Sequence, residues 1–143
     1  MISKRCKYAI KALIHISRNQ DRERPVFSTE IAEKENIPRK FLEAILRDLS
    51  NAQILYSKRG KQGGYRLLKP TDQITLVEIM RIMDGPIALL PCVSLNYYRA
   101  CDECVNEQNC AIRSVFLQVR DANLAILKEA TIASLSSSPK NTN

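Results

Sequence analysis

Cys6, Ala9, Ile10, Leu13 and Ile16 recur at helical spacing, which predicts a helix from Ser3 to about Gln20. The polar run Asp21-Arg22-Glu23-Arg24-Pro25 ends it. A short helix is expected over Ser28-Thr29-Glu30-Ile31-Ala32-Glu33-Lys34-Glu35, with Ser28 as its N-cap. Asn36-Ile37-Pro38 then makes a turn, and Pro38 suits the first position of a helix, where its missing N–H needs no partner. In this third helix, Arg39 to about Ala52, the apolar stripe is Phe41, Leu42, Ile45, Leu46 and Leu49. Arg39, Lys40, Glu43, Arg47 and Asp48 are left facing outward.

The period then changes. Ile54-Leu55-Tyr56-Ser57 and Tyr65-Arg66-Leu67-Leu68 are strand-like, and the basic, glycine-rich run from Lys58 to Gly64 joins them into a hairpin. Thr75-Leu76-Val77-Glu78 is a capping box opening a fourth helix, whose buried face is Leu76, Ile79, Met80 and Met83. Gly85-Pro86 closes it. Periodicity is lost between Ile87 and Cys110, a connection longer than most in compact domains. It returns from Ala111 to about Leu135, where Ile112, Val115, Phe116, Val119, Ile126 and Ala130 lie near one stripe. Leu117, Leu124, Leu127 and Leu135 widen that face beyond what one small domain covers, so a second copy of the chain is expected against it. From Ser134 onward the chain is polar and expected to be disordered.

The expected fold class is therefore mostly α with a small β-hairpin wing. Residues 1–86 form a winged helix-turn-helix, 87–110 a cysteine-bearing loop, 111–135 a dimerisation helix and 136–143 a tail. A length of 143 residues suits one domain, and a hydrophobic fraction of 45% is that of a globular chain. There is no apolar run of membrane-spanning length, and Met1-Ile2-Ser3-Lys4-Arg5-Cys6-Lys7 lacks a signal peptide's apolar core. A cytoplasmic location is expected, where structural disulfides are rare.

Charge divides the chain more sharply than its net +7 conveys. Residues 1–70 carry 16 Lys and Arg against 7 Asp and Glu, whereas residues 71–143 carry 6 against 8. A basic first half ordered as helix, turn, helix and basic wing fits duplex DNA. Arg39, Lys40 and Arg47 are placed to reach base edges in the major groove, and Glu43 to accept from a cytosine amino group. Ser28 and Thr29 suit phosphate at a helix N-terminus. Ser57, Lys58, Arg59 and Lys61 belong to the wing, and Arg59 at its tip suits a narrow minor groove.

Four of the five cysteines, Cys92, Cys101, Cys104 and Cys110, fall within the aperiodic segment. Thiols gathered this closely usually hold a metal, a cluster or a disulfide. Four thiolates accept [2Fe–2S], [4Fe–4S] or tetrahedral zinc, and spacing alone does not choose among them. A Cys101–Cys104 thiol switch is a further option. Cys6 lies on the first helix's apolar stripe and is expected in the core; His15 is expected to be packed or at the surface. A thiol oxidoreductase is disfavoured, since no βαβ framework surrounds the Cys101-Asp102-Glu103-Cys104 pair.

Ile37-Pro38-Arg39-Lys40-Phe41-Leu42-Glu43 and Ser57-Lys58-Arg59-Gly60-Lys61-Gln62-Gly63-Gly64-Tyr65-Arg66-Leu67 resemble the Rrf2 family of bacterial transcriptional regulators. Tyr8-Ala9-Ile10-Lys11-Ala12-Leu13 and Ile74-Thr75-Leu76 match it as well, so the resemblance runs from Ser3 to about Leu135. It implies a homodimer crossed through the long helices and binding a roughly palindromic DNA operator. Cluster-holding members of the family use three cysteines before the long helix and a variable fourth ligand. Cys92, Cys104 and Cys110 match the three. The fourth is elsewhere a carboxylate from the first helix or a histidine three residues past the last cysteine. Here those places hold Lys7 and Tyr8, and Arg113, which leaves Cys101 as the substitute. The resemblance thus favours an iron–sulfur cluster that senses oxygen, nitric oxide or iron, with zinc as the alternative.

Overall fold

The computed structural model describes residues 2–20, 24–60 and 63–139. Its elements are α1 (Lys4–Asn19), α2 (Ser28–Glu35), α3 (Arg39–Asn51), β1 (Leu55–Lys58), β2 (Gly64–Leu67), α4 (Leu76–Met83), α5 (Ala111–Glu129) and α6 (Ile132–Ser137). This is the mostly helical fold with a hairpin wing that the pattern predicts.

α1 is the centre of the packing, touching α2, α3, α4, α6 and β2. Its stripe explains this. Cys6, Ala9, Ala12, Leu13 and Ile16 are all fully buried, and the two alanines let neighbouring elements approach closely. Ile31 from α2, Leu42, Ile45, Leu46 and Leu49 from α3, Ile79 from α4 and Ile132 from α6 complete the core. Ser3 caps α1 by accepting from the Cys6 N–H at 3.0 Å, and its own N–H donates to Asp84 at 3.0 Å. The start of α1 is thereby tied to the end of α4.

In the hairpin, Leu55 pairs with Leu67, Tyr56 with Arg66, Ser57 with Tyr65 and Lys58 with Gly64. Val26 adds a single antiparallel bridge to Tyr65, through hydrogen bonds of 2.9 and 2.8 Å. That bridge explains Gly64. Its φ is +128°, and a Cβ there would lie 2.8 Å from the Val26 carbonyl oxygen.

Several elements depart from the sequence reading. The N-cap of α2 is Phe27, without a side-chain hydrogen bond, and Ser28 is the first helical residue. Pro38 caps α3 rather than standing inside it. Phe41 is not in the core: Leu42 beside it takes the buried place on the first turn of α3, and Phe41 stays exposed and packs edge-on against Tyr8 at 5.8 Å between centroids. Thr75 caps α4 by accepting from the Glu78 N–H at 3.3 Å, but the Glu78 side chain accepts from Lys69 at 2.6 Å instead of turning back. In α4 the buried residues are Val77, Ile79 and Met83, while Leu76 and Met80 are only partly covered.

The largest departure is at the C-terminal end. The helix expected to reach Leu135 stops at Glu129. The chain then runs extended beside Ile74–Leu76, where the Leu76 N–H donates to Ala130 O and the Ile132 N–H to Ile74 O, each at 2.9 Å. Thr131 and Ser134 exchange capping hydrogen bonds of 3.2 and 3.1 Å to open α6, and Ile132 drops into the core. The segment expected to be a disordered tail is held in place as far as it is described. Arg18 donates to the carbonyls of Ser136 and Ser138 at 3.0 and 2.7 Å, satisfying groups that a helix end leaves open. Residues 140–143 lie outside the described residues. Among the described residues no helix is long and apolar enough to cross a membrane.

Candidate nucleic-acid interface and cysteine cavity

α2 and α3 are joined by a tight turn in which Asn36 adopts a left-handed conformation (φ 52°) and the Ile37 N–H donates to Ala32 O at 2.9 Å. Ser28 and Thr29 lie in the first turn of α2, Ser28 half-buried and Thr29 exposed. Arg39, Lys40 and Arg47 are exposed along α3, and Glu43 is half-buried. Arg39 is not idle in the free protein: its Nε donates to Glu43 at 2.9 Å, one helical turn away. Asp48, expected to face outward, instead pairs with Arg5 of α1. Ser57, Lys58 and Arg59 are exposed on the wing, and Lys61 lies outside the described residues.

Two features of this half had no signal in the sequence. The Arg66 guanidinium lies 4.8 Å from the centre of the Tyr56 ring, across the hairpin, which orients a further exposed cation on the wing. His15 is buried between α1 and α2, with Nδ1 3.1 Å from Glu35 and Nε2 3.6 Å from Glu30. Lys11 also donates to the Glu35 backbone carbonyl at 3.0 Å. His15 is thus a packed histidine whose carboxylate partners are distant in sequence.

The segment between α4 and α5 is given shape by two short 3-10 turns, Pro91–Val93 and Glu107–Asn109. Cys92 sits buried in the first turn. Arg120 of α5 holds that turn by donating to the Val93 carbonyl at 2.7 Å. Cys110 ends the segment as the N-cap of α5, its sulfur accepting from the Arg113 N–H at 3.4 Å. Cys101 is exposed and Cys104 half-exposed, and the Cys104 N–H closes a turn onto Cys101 O at 3.2 Å.

All four cysteines line one cavity of about 580 Å³, with Leu90, Pro91, Arg99, Asp102, Glu103 and Arg113 among the other residues of its walls. The Arg113 backbone N–H, then a hydrogen bond from Cys104, lowers the pKa of the Cys110 thiol. Sharing that hydrogen bond raises the Cys104 thiol to about 11. Cys6 is far from this arrangement in character: burial, then the charge of Asp84, pushes its thiol up to about 11, as befits a core residue. A further set of side chains stands beside Arg113. The Tyr98 hydroxyl lies 2.8 Å from both carboxylate oxygens of Glu107, and Glu107 stands 3.7 Å from Arg113 Nε. Arg113 was notable in the sequence only as a missing histidine; its place on the cavity wall follows from standing three residues into α5, one turn above Cys110.

A family described as an iron-dependent transcriptional regulator, Rrf2, matches residues 2–138. The chain belongs to the Rrf2 family. It is 42% identical over 134 residues to an HTH-type transcriptional regulator of Rhodobacter capsulatus named rrf2-like, covering 92% of this chain and 89% of that one. Among solved structures it is similar to CymR, the global cysteine regulator of B. subtilis, with a TM-score of 0.78 and 28% identity over 96% of each chain. It is also similar to the IscR of T. potens, with a TM-score of 0.71 and 25% identity over 94% of this chain and 85% of that one. This Rrf2 protein is thus a transcriptional regulator with a winged helix fold, and its relatives are regulators rather than enzymes.

The cysteines of the cavity are the right kind of donor for the iron in the family's description, but among the described residues no group of three or more His, Cys, Asp or Glu side chains is arranged to hold a metal ion as it stands. Four thiols face one cavity, soft ligands that suit iron–sulfur clusters and zinc over hard cations. The Arg113 Nε is closed to solvent and has no hydrogen-bond acceptor among the described residues.

Proposed function

We propose that this Rrf2 protein is a homodimeric DNA-binding regulator whose operator affinity is set by an iron–sulfur cluster held by Cys92, Cys101, Cys104 and Cys110. The single observation that supports this most is the gathering of all four loop thiols around one cavity at the N-terminus of α5. Such a cluster supplies a redox-active, dissociable group that responds to oxygen, nitric oxide or iron supply. The chain's own residues supply the coupling. Cys92 is tied through Val93 to Arg120 in the middle of α5, and Cys110 caps the same helix. A change at the thiols therefore bears on α5 at two points, its N-terminus and its middle. α5 packs on α4, which packs on α1, which packs on α2 and α3. Altered α5 geometry shifts the balance between dimers that seat both recognition helices and dimers that do not.

The dimer is supported by α5 itself. Ile112, Val115 and Ile126 are 63%, 57% and 69% exposed, and at helical spacing with Ala122 they form one apolar stripe open to solvent. DNA contact is assigned to Ser28, Thr29, Arg39, Lys40, Glu43 and Arg47 of the helix-turn-helix, and to Ser57, Lys58, Arg59 and Lys61 of the wing.

The test is selection from a randomised duplex library with protein purified anaerobically, followed by affinity measurement with and without the cluster. Iron with inorganic sulfide, visible absorbance and a changed affinity on cluster removal are expected. Zinc without sulfide would replace the cluster by the zinc reading. Equal affinity of the loaded and empty protein for the selected operator would sink the coupling. Binding should weaken with salt at a slope of about 0.9 per phosphate contact, and Arg59→Ala should lower that slope by about one contact's worth.

A further inference from the structure

We infer that Arg113 is a counter-charge of the cysteine cavity, a potential-setting residue that acts without ligating iron. The inference rests on the cluster reading above. Four thiolates around either common cluster leave a net negative group in a partly closed cavity. A negative group stabilises the oxidised form and is tuned by nearby charge and by hydrogen bonds to its sulfurs. Arg113 is built to supply both. It lines the cavity with all four cysteines, and its backbone N–H already donates to the sulfur of Cys110. Its Nε is buried without an acceptor among the described residues. A guanidinium has no acceptor atom and keeps its charge, so it cannot serve as a ligand as histidine does.

The residues around Arg113 hold it there. Glu107 stands at 3.7 Å from Nε, too long for a hydrogen bond but close enough to orient the charge. Tyr98 in turn fixes Glu107 through its hydroxyl at 2.8 Å, and that hydrogen bond raises the Tyr98 pKa. Glu107 therefore plays two parts: it positions the guanidinium and offsets part of its charge. Reduction adds one electron to the iron–sulfur group, from dithionite in the assay below. No bond to Arg113 forms or breaks, and no proton leaves it. A positive charge favours the added electron and a carboxylate opposes it, so Arg113 and Glu107 act on the potential with opposite signs.

The experiment is a mediated dithionite titration of anaerobically reconstituted full-length protein, followed by visible absorbance and electron paramagnetic resonance. Arg113→Gln should keep iron and sulfide content and the thiolate spectroscopic signature, while its midpoint potential moves negative. Arg113→Lys should move it less, and Glu107→Gln should move it positive. Should Arg113→Gln fail to load, the Arg113→Lys and Glu107→Gln pair decides. Unchanged potentials in the variants that load overturn the inference, as does an altered ligand signature in Arg113→Gln. Wild-type protein that takes up no iron and sulfide sinks the cluster reading itself, before any variant is compared.

Discussion

The winged module and the cysteine segment differ in what holds them. In the module, Leu13, Ile16, Ile31, Leu42, Ile45, Leu46 and Leu49 are sealed from water, and α1 joins every neighbouring element. In the segment, Cys92, Val93 and Ser94 are buried, whereas Leu95, Tyr97, Tyr98 and Val105 stand exposed. Its shape depends on a few polar ties: Arg120 to Val93, Tyr98 to Glu107, Glu107 to Arg113. Apolar burial makes a module that tolerates changes outside itself. A segment held by scattered hydrogen bonds opens at low cost, which is what a responsive element requires.

Four changes would break or sharpen this contrast. The largest effect is expected from Cys92→Ala with Cys110→Ala. Iron and sulfide should be lost almost completely while far-ultraviolet circular dichroism of the helices is kept; a collapse of helicity would show that the module needs the segment. Leu46→Ala should act in the opposite way. A fully buried leucine lost from α3 costs about 2–5 kcal/mol, read as a fall in the denaturant midpoint, with the thiol segment's reactivity unaltered below that midpoint. Arg120→Ala removes a hydrogen bond from a charged group, about 1.5–3 kcal/mol in local terms. Hydrogen exchange should speed up in residues 91–94, and unchanged protection there would remove Arg120 from the coupling. Thr131→Ala should cost about 1 kcal/mol by uncapping α6. Its effect should appear in global stability, because α6 belongs to the core; an effect confined to residues 131–139 would detach α6 from the module.

Legibility followed the same division. Helix periods over α1, α3 and α4 and the hairpin's turn residues are local signals, and the structure carries each within a residue or two. Local signals misled where a neighbour supplied what the sequence could not show. Phe41 fits the stripe of α3, yet Leu42 fills the core at that turn and Phe41 lies outside it against Tyr8. Glu78 fits a capping box, yet Lys69 is the better partner for its charge. In the cysteine segment the sequence offered spacing without geometry. That the four cysteines share a cavity with Arg113, and that Glu107 and Tyr98 stand behind Arg113, depends on contacts across the loop that no period encodes.

Helix, turn, helix, wing and a cysteine-bearing connection in that order follow from residue types a few positions apart, so the chain alone carries them. The end of α5 does not. Ile126 and Ala130 continue one helical stripe, Leu135 extends the apolar face beyond it, and no Gly or Pro intervenes to break the helix. The break at Ala130 exists because the chain there finds backbone partners at Ile74 and Leu76 and a core site for Ile132. Those partners lie more than fifty residues away in sequence. Their hydrogen bonds and the burial of Ile132 outweigh a continued helix only once the rest of the domain is assembled.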